Sequence, residues 1–304
     1  MKFTLIGGGG YIGQPLAEHL TDKGHKVVII DNFNYEQNDN LGDDIEIIND
    51  DVLNITRHSA HLTTSNYVFY MASPRLNEIN DLPLPLPHIE GLKKTLDICE
   101  KSSTKVIFFS SCSVYGYQKG ILNEDSRTKP TSLYSKLKID SENLLKKYDN
   151  DNFKIVRLST LYGISRVPRN DLLVNNFVLE AVKKNYLKIF EGHFVRNYIH
   201  VQDVARVMDY AIDNFERLKN NCFNFGLEDA NLSKLELAKY IKKYVPSLII
   251  EESKEGKDPD QRNYTVSNKK ILSTGFTYKF SLDIGIKELI KAYKMMPESN
   301  FTNL

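Results

Sequence analysis

Two short stretches of this chain carry side chains that could move a proton together. In "PTSLYSKLKIDSE", Tyr134 and Lys138 stand four residues apart, so on a helix they share a face. A phenol with a free pKa of about 10 is a poor base, but a cation beside it favours the phenolate, and a tenfold gain in acidity corresponds to about 1.36 kcal/mol. Lys138 is the obvious cation. In "VIFFSSCSVYG", Ser111 adds a hydroxyl at the end of an apolar run. A Tyr–Lys pair at this spacing occurs by chance on many helices and alone would be read as structural. It gains meaning only from what surrounds it.

The surroundings begin at the first residues, "MKFTLIGGGGYIGQPLAEHL". Four glycines in a row cost roughly 0.5 to 1 kcal/mol each in regular structure, which calls for a compensating use. Gly7, Gly10 and Gly13 have the spacing G-x-x-G-x-x-G between a strand-like run and a helix-like one. In that context one glycine makes a tight turn, the next lets backbone N–H groups approach a pyrophosphate, and the third lets helix and strand pack closely, with the helix N-terminus facing the anion. Asp31 closes the next apolar run, 18 residues after Gly13, where a carboxylate can accept both ribose hydroxyls of an adenosine and would repel a 2'-phosphate. NAD is therefore favoured over NADP. Asp51 and Val52, after the third run, are candidate adenine contacts, and a solvated turn residue is an equal reading of Asp51.

Elements that could position these groups follow from the hydrophobic pattern. "KFTLIG", "HKVVIID", "DIEIIND", "NYVFYMAS", "KVIFFSS", "FKIVRLST" and "NCFNFG" read as strands, separated by helix-like segments such as residues 11–23, 88–101 and 134–148. Strands apolar almost throughout are those of a parallel sheet buried on both faces. The expected fold is a doubly wound parallel α/β sheet, whose carboxyl ends bind ligands. After about residue 165 the pattern loosens, with helices expected in "DLLVNNFVLEAVKKN", "SKLELAKYIKKYV" and "LDIGIKELIKAYKMM". This predicts a dinucleotide-binding domain over 1–165 and a smaller substrate domain over 166–304, with 198–226 packing back onto the sheet. "DLPLPLPHIE" reads as a surface loop, because each Pro disfavours helix at the residue before it.

Composition limits the partners. The 304 residues are 41% hydrophobic and 26% charged, with 40 basic and 39 acidic side chains giving a net charge of +1. The basic residues are scattered or in short pairs, which speaks against nucleic acid or an anionic membrane as partner. Three separated cysteines, Cys99, Cys112 and Cys222, form neither a disulfide framework nor a metal cluster. No apolar run approaches the ~18 residues of a membrane span, and the first strand starts too early for a signal peptide ahead of it. A cytoplasmic protein without a metal site is expected.

Together these motifs make the chain resemble an extended short-chain dehydrogenase/reductase of the NAD-dependent nucleotide-sugar epimerase/dehydratase family, nearly end to end. "GGGGYIG", including Tyr11 and Ile12, resembles its glycine fingerprint, "IIDNF", including Asn32, its ribose site, "SSCSVYG" its catalytic strand end and "YSKLK" its YxxxK. "RLSTLYG" resembles its R-x-x-N-V-Y-G turn, "VRNYIHVQDVA" its R-D-Y-I-H-V-x-D-V-A segment and "NFG" its last sheet strand. The resemblance implies that Ser111 hydrogen-bonds the sugar oxygen, that Tyr134 is the base and that Lys138 holds the nicotinamide ribose. It also implies a cofactor contact at Ala72 and substrate contacts at Thr160, Asn175, Arg196 and Arg262, the arginines on the pyrophosphate.

Departures from the family pattern narrow the chemistry. "YMAS" stands for the usual "HLAA", His88 for a common asparagine and Thr160 for the asparagine of R-x-x-N-V-Y-G. Members that eliminate water carry Asp-Glu directly after the catalytic hydroxyl, where this chain has Cys112-Ser113. Members that epimerise at carbons 3 and 5 carry a cysteine where this chain has Ser113, and Cys112, one residue away, should point the other way along a strand. The expectation is a 4-epimerase acting on a nucleotide-diphosphate sugar through a 4-keto intermediate. The alternatives are a 4-dehydrogenase or dehydratase that releases the keto sugar, and a non-catalytic dinucleotide-binding module, which the Tyr–Lys pair disfavours. By the same resemblance, the helices over 88–101 and 134–148 would form a homodimer.

Overall fold

A computed structural model describes residues 1–34, 41–74, 86–148, 151–218, 222–253, 255 and 260–296. Its first half runs β1 (Lys2–Ile6), α1 (Gly13–Asp22), β2 (Lys26–Asp31), β3 (Ile45–Asn49), α2 (Ser59–Thr63), β4 (Tyr67–Tyr70), α3 (Leu86–Ser102), β5 (Lys105–Ser111), β6 (Tyr117–Leu122), α4 (Leu133–Lys147) and β7 (Phe153–Leu158). The second half runs β8 (Thr160–Tyr162), α5 (Leu173–Lys184), β9 (Tyr186–Phe190), β10 (Val195–His200), α6 (Val201–Asp213), β11 (Cys222–Phe225), β12 (Asn231–Ser233), α7 (Lys234–Lys242), β13 (Ile249–Ser253), β14 (Asn263–Val266), α8 (Lys269–Leu272) and α9 (Leu282–Met295). The start of the Pro-rich run "DLPLPLPHIE", residues 81–85, lies outside the described residues, and its remainder already belongs to α3.

The central sheet has seven parallel strands in the order β11-β7-β5-β4-β1-β2-β3. Period-two alternation sorts each strand's side chains between two cores. Phe3, Leu5, Val27 and Ile29 face one layer with Leu16 and Leu20 of α1 and Val204, Val207 and Met208 of α6. Ile6, Val28, Ile30, Val68 and Phe108 face the other with Leu92 and Leu96 of α3 and Leu145 of α4. Each such side chain contributes roughly 1.5 to 3 kcal/mol on burial, and burial on both faces is why the strands lack a polar side.

A separate apolar cluster joins Val174 and Val178 of α5, Leu237 and Ile241 of α7 and Ile286 and Leu289 of α9 around Leu187 and Ile189 of β9. Three small sheets accompany it, β12-β10-β8, β13-β9 and β14-β6. Elements from this half of the sequence also return to the central sheet. Helix α6 packs on α1, and β11 pairs with β7 as the outer strand. Among the described residues no helix is long and apolar enough to cross a membrane.

The chain leaves β1 for β2 and β3 on one side and for β4, β5, β7 and β11 on the other. This reversal opens a crevice beyond the carboxyl ends of β1 and β4, where ligands bind in such sheets.

Candidate active site

That crevice is a cavity of about 770 Å³. Its floor begins where β1 ends. Gly7 turns with φ +76°, and a Cβ there would lie 2.3 Å from the amide nitrogen of Ala72, so no other residue fits. A Cβ at Gly13 would lie 2.4 Å from the Gly8 carbonyl oxygen, which shows how closely α1 starts against the turn. A Cβ at Gly10 would meet nothing within 4 Å and would only fill cavity space. No side chain caps the N-terminus of α1; of its first three residues Gln14 N–H donates to the Gly10 carbonyl at 3.1 Å and Pro15 has no N–H, which leaves the Gly13 N–H beside the crevice.

The far end of this half is acidic. Asp31 at the end of β2 accepts from Gly9 N through Oδ2 at 2.9 Å and from Phe33 N through Oδ1 at 2.9 Å. Asn32 Nδ2 donates to Asp51 Oδ2 at 3.3 Å, while Asp51 Oδ1 caps the short turn Val52–His58 by accepting from Leu53 N at 2.9 Å. Asp51 is thus a turn residue that also lines the cavity, with Gly7, Gly10, Tyr11, Ile12, Gly13, Asp31, Asn32, Val52 and Ala72. His88 from α3 lines it too, 6% exposed and with no hydrogen-bond partner for Nε2. Burial brings its pKa down to about 3, so the ring is neutral. A glycine turn open at Gly10, an uncapped helix start, a ribose-type carboxylate and an orphaned imidazole nitrogen fit a dinucleotide.

The reactive groups come from β5 and α4. Ser111 closes β5, and its Oγ accepts from Ser113 N at 3.1 Å. Helix α4 starts at a capping box in which Ser132 Oγ accepts from Ser135 N at 3.2 Å and Ser132 N donates to Ser135 Oγ at 3.0 Å, worth about 1 kcal/mol. This cap fixes Tyr134 in the first turn, where it lines the cavity with Ser111, whose hydroxyl favours its base form. One turn on, Lys138 is 3% exposed and donates Nζ to the Phe109 carbonyl at 2.8 Å.

Charge at this pair differs from the expectation. Lys138 Nζ lies over the Tyr134 ring, 5.5 Å from its centroid. Burial raises the Tyr134 pKa above its ordinary value, and the opposing cations are Arg262 and Arg169. Lys138 itself is lowered by burial to about 7, with Glu142 pulling the other way. The pair is close, as its spacing requires, but at Tyr134 desolvation outweighs the two guanidinium groups that favour the phenolate.

In the other half of the cavity lie Thr160, Arg196 and Arg262, together with Arg169, Asp171, Asn176, Lys234, Asp260 and Tyr264. Arg169 donates Nε and Nη2 to the Asp171 carboxylate at 2.7 and 2.6 Å. Arg196 is 2% exposed, and its fork is committed to this chain: Nη1 donates to the carbonyls of Val195, at 2.9 Å, and Arg262, while Nη2 donates to the Asp260 carbonyl at 3.0 Å. Arg262 pairs with both carboxylate oxygens of Asp260, and Arg196 Nη2 lies 3.2 Å from Oδ2; the two guanidinium groups hold that carboxyl well below the usual range against the cost of its burial.

Asn175 is a correction. It is buried and absent from the cavity lining; its Oδ1 accepts from Gly163 N at 3.0 Å and its Nδ2 donates to the Arg169 carbonyl at 3.0 Å. Successive helix positions differ by about 100°, and the next residue, Asn176, faces the cavity instead. Cys112 and Ser113 also lie outside the lining. Cys112 donates its Sγ to the Arg157 carbonyl at 3.3 Å, and burial pushes its thiol up to about 12.

The family model of the NAD dependent epimerase/dehydratase family matches residues 3–226. The chain belongs to this family. The match bears out the resemblance carried by the motifs, and the cofactor of this epimerase/dehydratase is NAD. It is 24% identical over 304 residues to a putative UDP-glucose 4-epimerase of Methanocaldococcus jannaschii, covering 95% of this chain and 97% of that one. It is 22% identical to UDP-glucuronic acid decarboxylase 1 of Arabidopsis thaliana, covering 97% of this chain and 70% of the relative. Its fold matches the crystal structure of UDP-glucuronic acid 4-epimerase from Bacillus cereus with a TM-score of 0.84 at 23% identity, over 97% of this chain and 99% of that one.

Proposed function

We propose that this family member is a nucleotide-sugar 4-epimerase that works by oxidation at sugar carbon 4 through a 4-keto intermediate. The observation that carries the reading is the meeting of Ser111 and Tyr134 at one cavity, while Cys112 and Ser113, which follow the catalytic hydroxyl, lie outside its lining. Oxidation at carbon 4 needs one base and one hydride acceptor in a shared geometry. Elimination of water would need a further acid and base at those two positions.

In this reading Asp31 holds the adenosine ribose, the turn at Gly7 to Gly13 and the start of α1 take the pyrophosphate, and Lys138 holds the nicotinamide ribose. NAD, when bound, would supply the hydride acceptor and donor for carbon 4. Tyr134 accepts the 4-hydroxyl proton, Ser111 hydrogen-bonds the same oxygen, and Tyr134 returns the proton when the keto sugar is reduced on its other face. Arg262 and Arg169 oppose the burial that keeps Tyr134 protonated, so they favour its base form.

Purified protein incubated with UDP-, dTDP-, GDP- and CDP-sugars, UDP-glucuronic acid included, is expected to give the carbon-4 epimer of one of them without build-up of reduced nicotinamide. Tyr134→Phe should keep nucleotide-sugar affinity within a few-fold and lose about 10²- to 10⁴-fold in kcat. Accumulating reduced nicotinamide, or a product that has lost water or carbon dioxide, would replace this reading.

A further inference from the structure

The face of α4 that carries Tyr134 and Lys138 carries a third polar residue one turn on. Glu142 is fully buried. Its Oε2 accepts from Arg157 Nη2 at 2.7 Å, and its Oε1 accepts from Arg157 Nε at 2.9 Å and from Ser110 Oγ at 2.6 Å. Arg157, on β7, also donates Nη1 to the Tyr115 hydroxyl at 3.0 Å. A buried ion pair of this kind is poor evidence for stability, since apolar residues of similar volume are often at least as stable. Its placement gives it another use.

Ser110 stands on β5 between two residues of the site. Phe109 before it lends the carbonyl that holds Lys138 Nζ, and Ser111 after it carries the hydroxyl that meets Tyr134. Two polar links therefore join α4 to the end of β5, Lys138 to Phe109 and Glu142 to Ser110, on adjacent helical turns and adjacent strand residues. We infer that Glu142 is a positioning residue: held by Arg157, its carboxylate fixes the register of Ser111 against Tyr134 and supports the ammonium of Lys138. This role rests on the reading of Tyr134 as base.

The charges around Lys138 make the second part specific. On α4 it faces Tyr134 and Glu142; on α3, His88, which burial keeps neutral. On β5 it faces the Phe108 ring and the Phe109 carbonyl, and on β7 Arg157 lies behind Glu142. Glu142 is the anion that acts on Lys138, opposing the burial that favours its neutral form. Glu142→Gln keeps the shape, removes that anion and leaves the Arg157 cation unbalanced.

The test compares Glu142→Gln, Glu142→Asp and Ser110→Ala in the full chain. Glu142→Gln should lower kcat about 10- to 100-fold with KM changed less than about threefold, and should move the alkaline limb of kcat/KM to lower pH by about one pH unit. The Lys138 titration, followed by NMR of lysine-labelled protein without substrate, should move the same way. Glu142→Asp should restore that titration. Ser110→Ala should lower kcat and leave the titration in place. A folded Glu142→Gln with unchanged pH profile and unchanged Lys138 titration would overturn the inference. If Glu142→Gln does not fold, Ser110→Ala with full kcat overturns it instead. An active Tyr134→Phe would remove the assigned base but leave the Lys138 titration readable, so the two failures are distinct.

Discussion

At the scale of one residue, Lys138 shows burial and charge in opposition. Its amine titrates near 7 in the folded chain, well below the ordinary 10.5, because burial disfavours the ammonium more than Glu142 supports it. Between those two values the unfolded chain holds a proton that the folded chain has released. Stability therefore rises with pH across that window and is lower below it, where folding must bury the charged form. Lys138→Met has no such proton. Denaturant unfolding of protein stripped of dinucleotide should show stability increasing from about pH 7 to pH 10 in the unmutated chain and a flatter dependence in the variant. Equal slopes would mean that Lys138 stays charged in the folded state. The same cost explains why the Tyr–Lys spacing was legible in the sequence while its electrostatics were not. Spacing is set by the helix alone, whereas Tyr134 and Lys138 are desolvated by residues from β5, α3 and the 260–264 segment, far away in the chain.

At the scale of elements, two arginines that look equivalent in the sequence separate. Arg196 on β10 uses its fork to bind the carbonyls of Val195, Asp260 and Arg262, so it acts as a strut for the segment leading into β14. Both reach the Asp260 carboxylate, Arg196 through Nη2 at 3.2 Å and Arg262 through Nε and Nη2, but among the charges that favour the Tyr134 phenolate Arg262 is the strongest. Arg196→Met should therefore lower unfolding free energy by about 3 kcal/mol, whereas Arg262→Met should chiefly weaken binding of whichever nucleotide sugar the panel identifies, measured by calorimetry. The reverse pattern would exchange the two roles. Glycine turns, strand ends and the YxxxK helix were readable because each is a local device with its own spacing. The choice between Asn175 and Asn176 was not, because the rotation of α5 is set by Val174, Val178 and Ala181 packing into the α5, α7 and α9 cluster.

At the scale of the molecule, the cavity uses the carboxyl edge of the central sheet, which leaves the outer surfaces of α3 and α4 largely outside it, with Pro87, His88, Tyr134 and Lys138 the residues these helices contribute to its lining. The two helices lie side by side, linked by Tyr148, whose hydroxyl donates to Asp97 Oδ1 at 2.6 Å. Their inner faces belong to the core through Leu92, Leu96 and Leu145, which shows why their apolar residues alone do not establish a partner. Their outer faces carry both signs of charge, Glu90, Lys93, Glu100 and Lys101 on α3 and Lys136, Asp140, Lys146 and Lys147 on α4. We propose that a second copy packs on this face and that the chain is a homodimer, with the half-buried Ile89 between the charged rows. An interface of mixed charge weakens as salt screens it, the screening length falling from about 10 Å at 0.1 M to about 3 Å at 1 M. Sedimentation at micromolar concentration should give the dimer mass at low salt and a shift toward monomer near 1 M salt. Reversing Lys93 and Lys136 to Glu should weaken the dimer while NAD affinity stays within about twofold, since neither residue lines the cavity. A monomer at micromolar concentration and low salt would show that α3 and α4 serve only to cover the sheet.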